Sequence, residues 1–392
     1  MHAPDYLGPL LDASHQLAPH ALASAARSAA TVLGATDLTI YLVDYTQRVL
    51  IPLPDVARPD DKDRLDIDST MAGRSYRHTE VLTSRANGAV RLWVPLLDGA
   101  ERLGVVELTL EHPDDDTIAH CRRLVSLLGQ LVVTKSLFGD YIELARRDRP
   151  LELAAEFRWT LVPPLTFANP RVGVAGILEP AYEVAGDAFD YALNGSTLHL
   201  AVIDAMGHGL EAARLASLAV VSYRHARRLG EDLEATYRRM DDAIAEQFGD
   251  ERFVTAQLAT LGTDTGRLTW LNAGHPHPLL LRRGTVIGEL EGGEICLPIG
   301  LCGTATPPAE YSLEPGDAVV FFSDGVVEAR SPEGELFGER RLADHLSRAA
   351  SSQEQPAEMM RRLAHAVLTH QQADLRDDAT LLYVEWKGAP TS

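Results

Sequence analysis

Residues 183–210 read EVAGDAFDYALNGSTLHLAVIDAMGHGL, and the fold turns on them. Two runs of strand character flank Asn194-Gly195, the strongest short-range signal for a two-residue hairpin turn. With Asn194-Gly195 as the turn, Leu193 faces Ser196 and Asp187 faces Val202. Asp204 lies two residues beyond Val202 on the same face, a diagonal neighbour of Asp187 at about 7–8 Å along the backbone. Both acids stand at the open end of the hairpin, where its strands leave the sheet. Carboxylates this close repel each other unless a cation or a proton lies between them. A cation is the expectation.

The pattern recurs downstream. Residues 318–323, AVVFFS, form an apolar strand that runs into Asp324-Gly325. Asp377-Asp378 come directly before another strand, whose apolar run is TLLYV at 380–384. If those strands are antiparallel, an acid after one and an acid before the other share a sheet edge. Any one aspartate alone reads as well as a turn cap. Acids at four strand ends, with no His or Cys at ligand spacing beside them, suit hard cations such as Mg²⁺ or Mn²⁺.

The motifs EVAGDAFD (183–190), IDAMGHG (203–209), FVTA (253–256), NAGHP (272–276), PIGL (298–301), PGD (315–317), SDGVVEA (323–329) and DDATLL (377–382) follow one another in this order. Together they cover roughly the last 220 residues. This part of the chain resembles the metal-dependent protein phosphatases of the PPM/PP2C superfamily, in their SpoIIE/RsbU-like branch. Two departures stand out: the usual GGD is Ala185-Gly186-Asp187, and the usual GDVSGHG is Ile203-Asp204-Ala205-Met206-Gly207-His208-Gly209.

The resemblance implies an α+β protein whose residues 166–392 form a PP2C-like α-β-β-α sandwich. It implies a serine/threonine phosphatase that uses two divalent cations, Mn²⁺ or Mg²⁺. By carry-over, Asp204 bridges the cations and the Ala205 carbonyl is a backbone ligand. Asp187 holds one cation, directly or through water, and Asp324 and Asp377 hold the other, with Asp378 ranked after Asp377. His208 is either the acid that protonates the leaving alkoxide or a structural residue near a helix start. His275 reads as a turn-former beneath the site. No arginine is expected beside Asp187 to clamp the phosphate, as animal relatives in the superfamily have, so grip on the substrate falls to the metals and the docking surface. The usual targets of the branch are phosphorylated anti-sigma-factor antagonists of the STAS fold, in partner-switching pathways. The competing reading is an inactive relative that binds a phosphoprotein as a scaffold; loss of the acids would mark it, and they are present.

A net charge of −20 argues against a nucleic-acid or anionic-membrane surface, because both need basic patches. Cys121, Cys296 and Cys302 form no metal pattern and cannot all pair internally, which suits a reducing cytoplasm. No stretch approaches membrane-spanning length.

Upstream, the sequence reads as a helix over 8–33, strands at 38–43 and 49–53, and a charged loop over 54–68. A helix at 71–78, strands at 90–97 and 102–111 and a helix over 117–145 complete the segment. With TMAGRSYR (70–77), WVPL (93–96) and LGVV (103–106), residues 1–145 resemble a GAF-type sensor domain. Such domains take varied small molecules or none, and a small-molecule or protein signal is the open expectation. Arg74, Tyr76 and Arg77 either line a pocket or form a solvated helix face. Residues 146–165 read as a helical linker. Pro150 opens its helix, and Leu153, Phe157 and Leu161 form a stripe expected at a homodimer or inter-domain contact, or packed on the catalytic core.

Overall fold

A computed structural model describes residues 5–55, 62–86, 88–183, 186–249, 251–372 and 378–388. The chain divides into two compact units, Met1–Pro150 and Leu151–Ser392.

In the first unit, α1 (Gly8–Ser14) and α2 (Leu22–Val32) replace the single helix expected over 8–33. The break falls before Pro19, whose ring pushes the preceding residue out of helical backbone. Ala18 is accordingly extended, at φ −71° and ψ 147°. Strands β1 (Ala35–Val43), β2 (Val49–Pro52), β3 (Leu65–Asp66), β4 (Leu82–Ala86), β5 (Ala89–Asp98) and β6 (Glu101–Leu110) form one antiparallel sheet in the order β3-β2-β1-β6-β5-β4. β3 lies in the stretch read as a loop. The expected helix over 117–145 divides into α4 (Asp115–Ser136) and α5 (Tyr141–Ala145), with α3 (Met71–His78) where the pattern put it.

One face of this sheet buries Leu38, Ile40, Leu42, Leu92 and Val94 with Leu124 and Leu128 of α4. The other packs Tyr41, Val43, Trp93 and Val105 against Ala72 and Tyr76 of α3. Tyr76 is therefore core: its hydroxyl donates to Gln47 Oε1 at 3.0 Å and the Arg102 guanidinium lies 4.5 Å over its ring. Arg74 is exposed, in keeping with a solvated face.

The second unit opens with α6 (Leu153–Leu161), β7 (Thr166–Ala168) and β8 (Val172–Glu179). The hairpin β9 (Asp187–Asn194) and β10 (Thr197–Ala205) follows, then α7 (Leu210–Leu229) and α8 (Leu233–Phe248). Next come β11 (Val254–Gly262), β12 (Arg267–Ala273), β13 (Leu279–Arg282), β14 (Thr285–Glu289), β15 (Ala309–Ser312) and β16 (Asp317–Phe322). The chain closes with the short α9 (Asp324–Val327), then α10 (Gly338–Ser351), α11 (Pro356–His370) and β17 (Ala379–Trp386). One sheet runs β15-β12-β11-β10-β9 and the other β14-β13-β16-β17-β8-β7.

Three apolar clusters stack these elements. Leu215, Tyr223, Tyr237 and Met240 of α7 and α8 cover Ala201, Ile203 and Leu258 of the first sheet. Phe189, Leu200, Val202 and Trp270 meet Val174, Phe321, Leu382 and Val384 between the sheets. Leu342, Leu346, Met360 and Leu363 of α10 and α11 cover Val320, Leu381 and Tyr383 of the second. The result is the α-β-β-α sandwich expected from the sequence. Among the described residues, no helix is long and apolar enough to cross a membrane.

Helix α6 starts at Leu153, not at Pro150 as the sequence suggested. Its buried residues are Ala154, Ala155 and Arg158, whereas Leu153 and Phe157 are 62% and 40% exposed. The small alanines let α6 lie close on α7, and that approach selects the alanine face over the larger apolar stripe.

Candidate active site

The hairpin turns one residue later than the sequence suggests. Asn194 pairs with Thr197 and Leu193 with Leu198, leaving Gly195 and Ser196 as the turn. Gly195 takes φ +60° and Ser196 has no positive φ. Glycine thus occupies the first central position, the II′ pattern, whereas an Asn-Gly turn of type I′ needs positive φ at both central residues. Moving the turn by one residue moves the pairing by two. Asp187 therefore stands directly opposite Asp204, not opposite Val202. Directly opposed residues bring their Cβ atoms to about 4.5–5.5 Å, closer than the diagonal pair expected.

Strand alternation explains which way the acids lie. On β10, Leu198, Leu200 and Val202 fill the gap between the sheets, and the period of two puts Asp204 next in that row. The same parity runs from Phe189 to Asp187 on β9, and from Trp386, Val384 and Leu382 back to Thr380 and Asp378 on β17. On β16 it runs from Val319 and Phe321 to Ser323. The apolar filling of the gap thus ends in a polar tier drawn from both sheets. β16 and β17 are antiparallel, with Phe322 opposite Leu381, so Asp324 and Asp378 reach one sheet edge as expected.

Backbone contacts lock this tier. The Asp187 N–H donates to Asp378 Oδ2 at 3.2 Å, tying β9 to the start of β17. Ser323 Oγ donates to the Asp378 carbonyl at 3.3 Å and accepts from the Thr380 N–H at 3.0 Å. The glycines beside the acids are required by clearance. A Cβ on Gly325 would stand 1.8 Å from the Asp378 carbonyl oxygen, and one on Gly186 would stand 2.3 Å from that of Ala205. Any side chain at either position pushes the tier apart.

Asp187 is 2% exposed. Burial, then the charges of Asp204 and Asp378, push its carboxyl well above the usual carboxylate range, with the Ser323 and Thr380 hydroxyls pulling the other way. Its Oδ2 is buried with no hydrogen-bond partner among the described residues. An all-oxygen set of crowded carboxylates whose charge is unfavourable as it stands fits a hard divalent cation. As placed, no three His, Cys, Asp or Glu side chains among the described residues are grouped to hold one ion. Asp377, an expected ligand, lies outside the described residues.

His208 is exposed and precedes Gly209, the residue before α7, so it stands just outside the helix. His275 is buried in a turn closed by Asn272, whose amide donates to the His275 carbonyl at 2.9 Å and whose oxygen accepts from its N–H at 2.8 Å. Its Nδ1 meets Thr255 Oγ1 at 2.8 Å, and Thr255 pairs with Asp204 across β10 and β11. Burial pushes the imidazole down to about 4, against a smaller opposite pull from the Phe322 backbone. It supports the tier from beneath, as a turn-former should.

Sequence reasoning missed Ser323 and Thr380 as members of the tier, and it missed Arg158. Alternation along β16 and β17 could have found the first two. Arg158 comes from α6, and with Asp187 it lines one small cavity. Only its place one turn after Ala154, on an alanine face, hints at burial.

Residues 194–387 match the family described as Stage II sporulation protein E (SpoIIE). The phosphoserine phosphatase RsbU of Bacillus subtilis (strain 168) is 24% identical over 241 residues, which span 60% of this chain and 70% of RsbU. The RsbU and RsbW domains of Rv1364c from Mycobacterium tuberculosis are 26% identical with a TM-score of 0.50, over 57% of this chain and 63% of that one. The SiaA-PP2C domain of Pseudomonas aeruginosa shares the fold at 22% identity and a TM-score of 0.50, over 59% of this chain and 94% of that one.

Proposed function

The chain carries a SpoIIE/PP2C-family phosphatase domain, and from that premise we propose that it is a divalent-cation-dependent protein serine/threonine phosphatase. The observation that carries this reading is the direct opposition of Asp187 and Asp204 at the end of the inter-sheet gap. Asp187, Asp204, Asp324 and Asp378, with Asp377 and the Ala205 carbonyl, would hold two ions, Mn²⁺ or Mg²⁺. Bound there, such ions lower the pKa of a water and neutralise charge on a phosphoryl group. The chain's own contribution is placement. The bond from the Asp187 N–H to the Asp378 carboxylate and the Ser323 contacts hold carboxylates from two sheets in one tier. Asp187 is buried, and its Oδ2 accepts no hydrogen bond among the described residues. His208, exposed ahead of α7, is the candidate proton donor to the departing serine or threonine oxygen.

The substrate we infer is a phosphorylated STAS-type anti-sigma-factor antagonist in a partner-switching pathway. Similarity to RsbU supports this, as does the pairing of RsbU and RsbW domains in the Mycobacterium tuberculosis protein. The first unit, read as a GAF-like sensor, would control the phosphatase as a homodimer in the cytoplasm. The test is phosphate release by the full chain from a phosphorylated antagonist, with and without Mn²⁺. Release that persists in EDTA sinks the metal reading. Tight phosphoprotein binding with no turnover would favour the scaffold reading. Equal efficiency on free nucleotides or sugar phosphates would sink the substrate assignment.

A further inference from the structure

Arg158 sits on the buried face of α6, one turn after Ala154, and is 5% exposed. A guanidinium keeps its charge inside a protein, and burying it costs free energy unless opposite charge or hydrogen bonds compensate. Its Nη2 donates to the Pro180 carbonyl. Nε and Nη1 are buried with no hydrogen-bond partner among the described residues. The charges that offset its burial are those of Asp378, Glu179 and Asp187. The cavity it lines with Asp187, Phe189, Ala213 and Ser217 measures about 10 Å³, room for one water and far too small for a phosphomonoester. In this arrangement Arg158 answers the acids, not a substrate.

The helix that carries it grips three successive carbonyls on the segment leading into Asp187. Arg158 takes Pro180, Trp159 Nε1 takes Ala181 at 2.8 Å, and the Glu152 N–H takes Tyr182 at 3.2 Å. At its other end, Arg224 of α7 donates to the Leu161 carbonyl. Helix α6 is thus tied to the segment leading into Asp187, and Arg158 shares a cavity wall with Asp187 itself.

We propose that Arg158 is the internal counter-cation of the acidic tier, a positioning residue that offsets Asp187 and Asp378 and competes with a divalent cation for them. This rests on the reading of the tier as a metal site. A cation entering the tier weakens the hold of Arg158 and loosens the three-carbonyl latch of α6. Metal occupancy and helix seating thus oppose each other.

Calorimetric titration of the full chain with Mn²⁺ tests this without any turnover. Arg158→Met keeps the length of the side chain and removes its charge, and should bind Mn²⁺ roughly tenfold more tightly than wild type. Arg158→Lys keeps the charge and should stay within about threefold of wild type. Hydrogen exchange gives a second readout on the unaltered protein, independent of whether the variants fold. Saturating Mn²⁺ should speed exchange of the α6 amides, the reverse of ordinary ligand protection. Unchanged or weaker binding in Arg158→Met, or slower exchange in α6, overturns the proposal while leaving the metal site standing. No Mn²⁺ binding in either wild type or variant overturns both.

Discussion

Asp187 and Asp204 face each other across an antiparallel pair, where the apolar filling between the sheets gives way to acids. Like charges so placed destabilise the bare protein, and the same repulsion is what a divalent cation relieves. Asp204→Asn or Asp324→Asn should lower Mn²⁺-dependent phosphatase turnover by at least roughly a hundredfold with the fold intact. Near-wild-type turnover in Asp204→Asn would remove the tier from the chemistry.

The same crowding has a consequence for stability. In EDTA at neutral pH, Asp187→Asn should raise stability by on the order of 1–2 kcal/mol, because a buried carboxyl held above its usual range resists ionisation. With saturating Mn²⁺ the order should reverse. Denaturant titrations with and without metal check it, and a variant less stable in both conditions contradicts it.

How much of this was legible in the sequence depends on where the information lay. The acids at strand ends and the apolar runs before them could be read because each is local, whereas the layered fold followed from the resemblance that the ordered motifs carry. The hairpin register could not be decided, since Asn194-Gly195 and Gly195-Ser196 both satisfy turn rules and only the strands' full pairing chooses between them. Arg158 was hidden for a different reason. Periodicity in α6 offers Leu153 and Phe157 as one face and Ala154, Ala155 and Arg158 as another, and close approach to α7 selects the second. Edge strands such as β7 and β15 have too few residues to show a period at all.

Gly325→Ala should cost about 1–3 kcal/mol of stability and weaken Mn²⁺ binding, because the added methyl meets the Asp378 carbonyl head-on. Thermal melting and calorimetry check the two effects. Alanine at solvent-exposed Gly334, which has open space around it, is no guide here, because its strain comes from φ +86° alone. A fully stable Gly325→Ala with wild-type metal affinity would show that the turn and β17 can separate freely.

His275 sets a pH dependence at the acid side. Its folded pKa lies near 4, below the ordinary value of 6.5, so the unfolded chain binds its proton first as pH falls. The stability that the neutral imidazole provides is complete above about pH 6.5 and is lost as pH falls from there towards 4, on the order of 3 kcal/mol in all. His275→Asn should flatten that part of the stability–pH curve. An equally steep curve in the variant would assign the loss to other groups.

The exposed face of α6 carries the control prediction. Leu153 and Phe157 leave apolar surface uncovered within the second unit, so Phe157→Asp should change oligomeric state or turnover without touching the acids. Light scattering and the phosphatase assay read the two. No change in either makes the helix a passive tether.

The three carbonyls held by α6 bear on how the phosphatase unit is cut from the chain. A fragment that begins at residue 166 discards Arg158, Trp159 and Glu152 at a stroke, stripping donors from Pro180, Ala181 and Tyr182 and exposing the apolar wall of α7. Altered activity in such a fragment would report damage to its own scaffolding, not release from an upstream sensor. The excision that separates those effects starts at Leu151, where the compact unit itself begins.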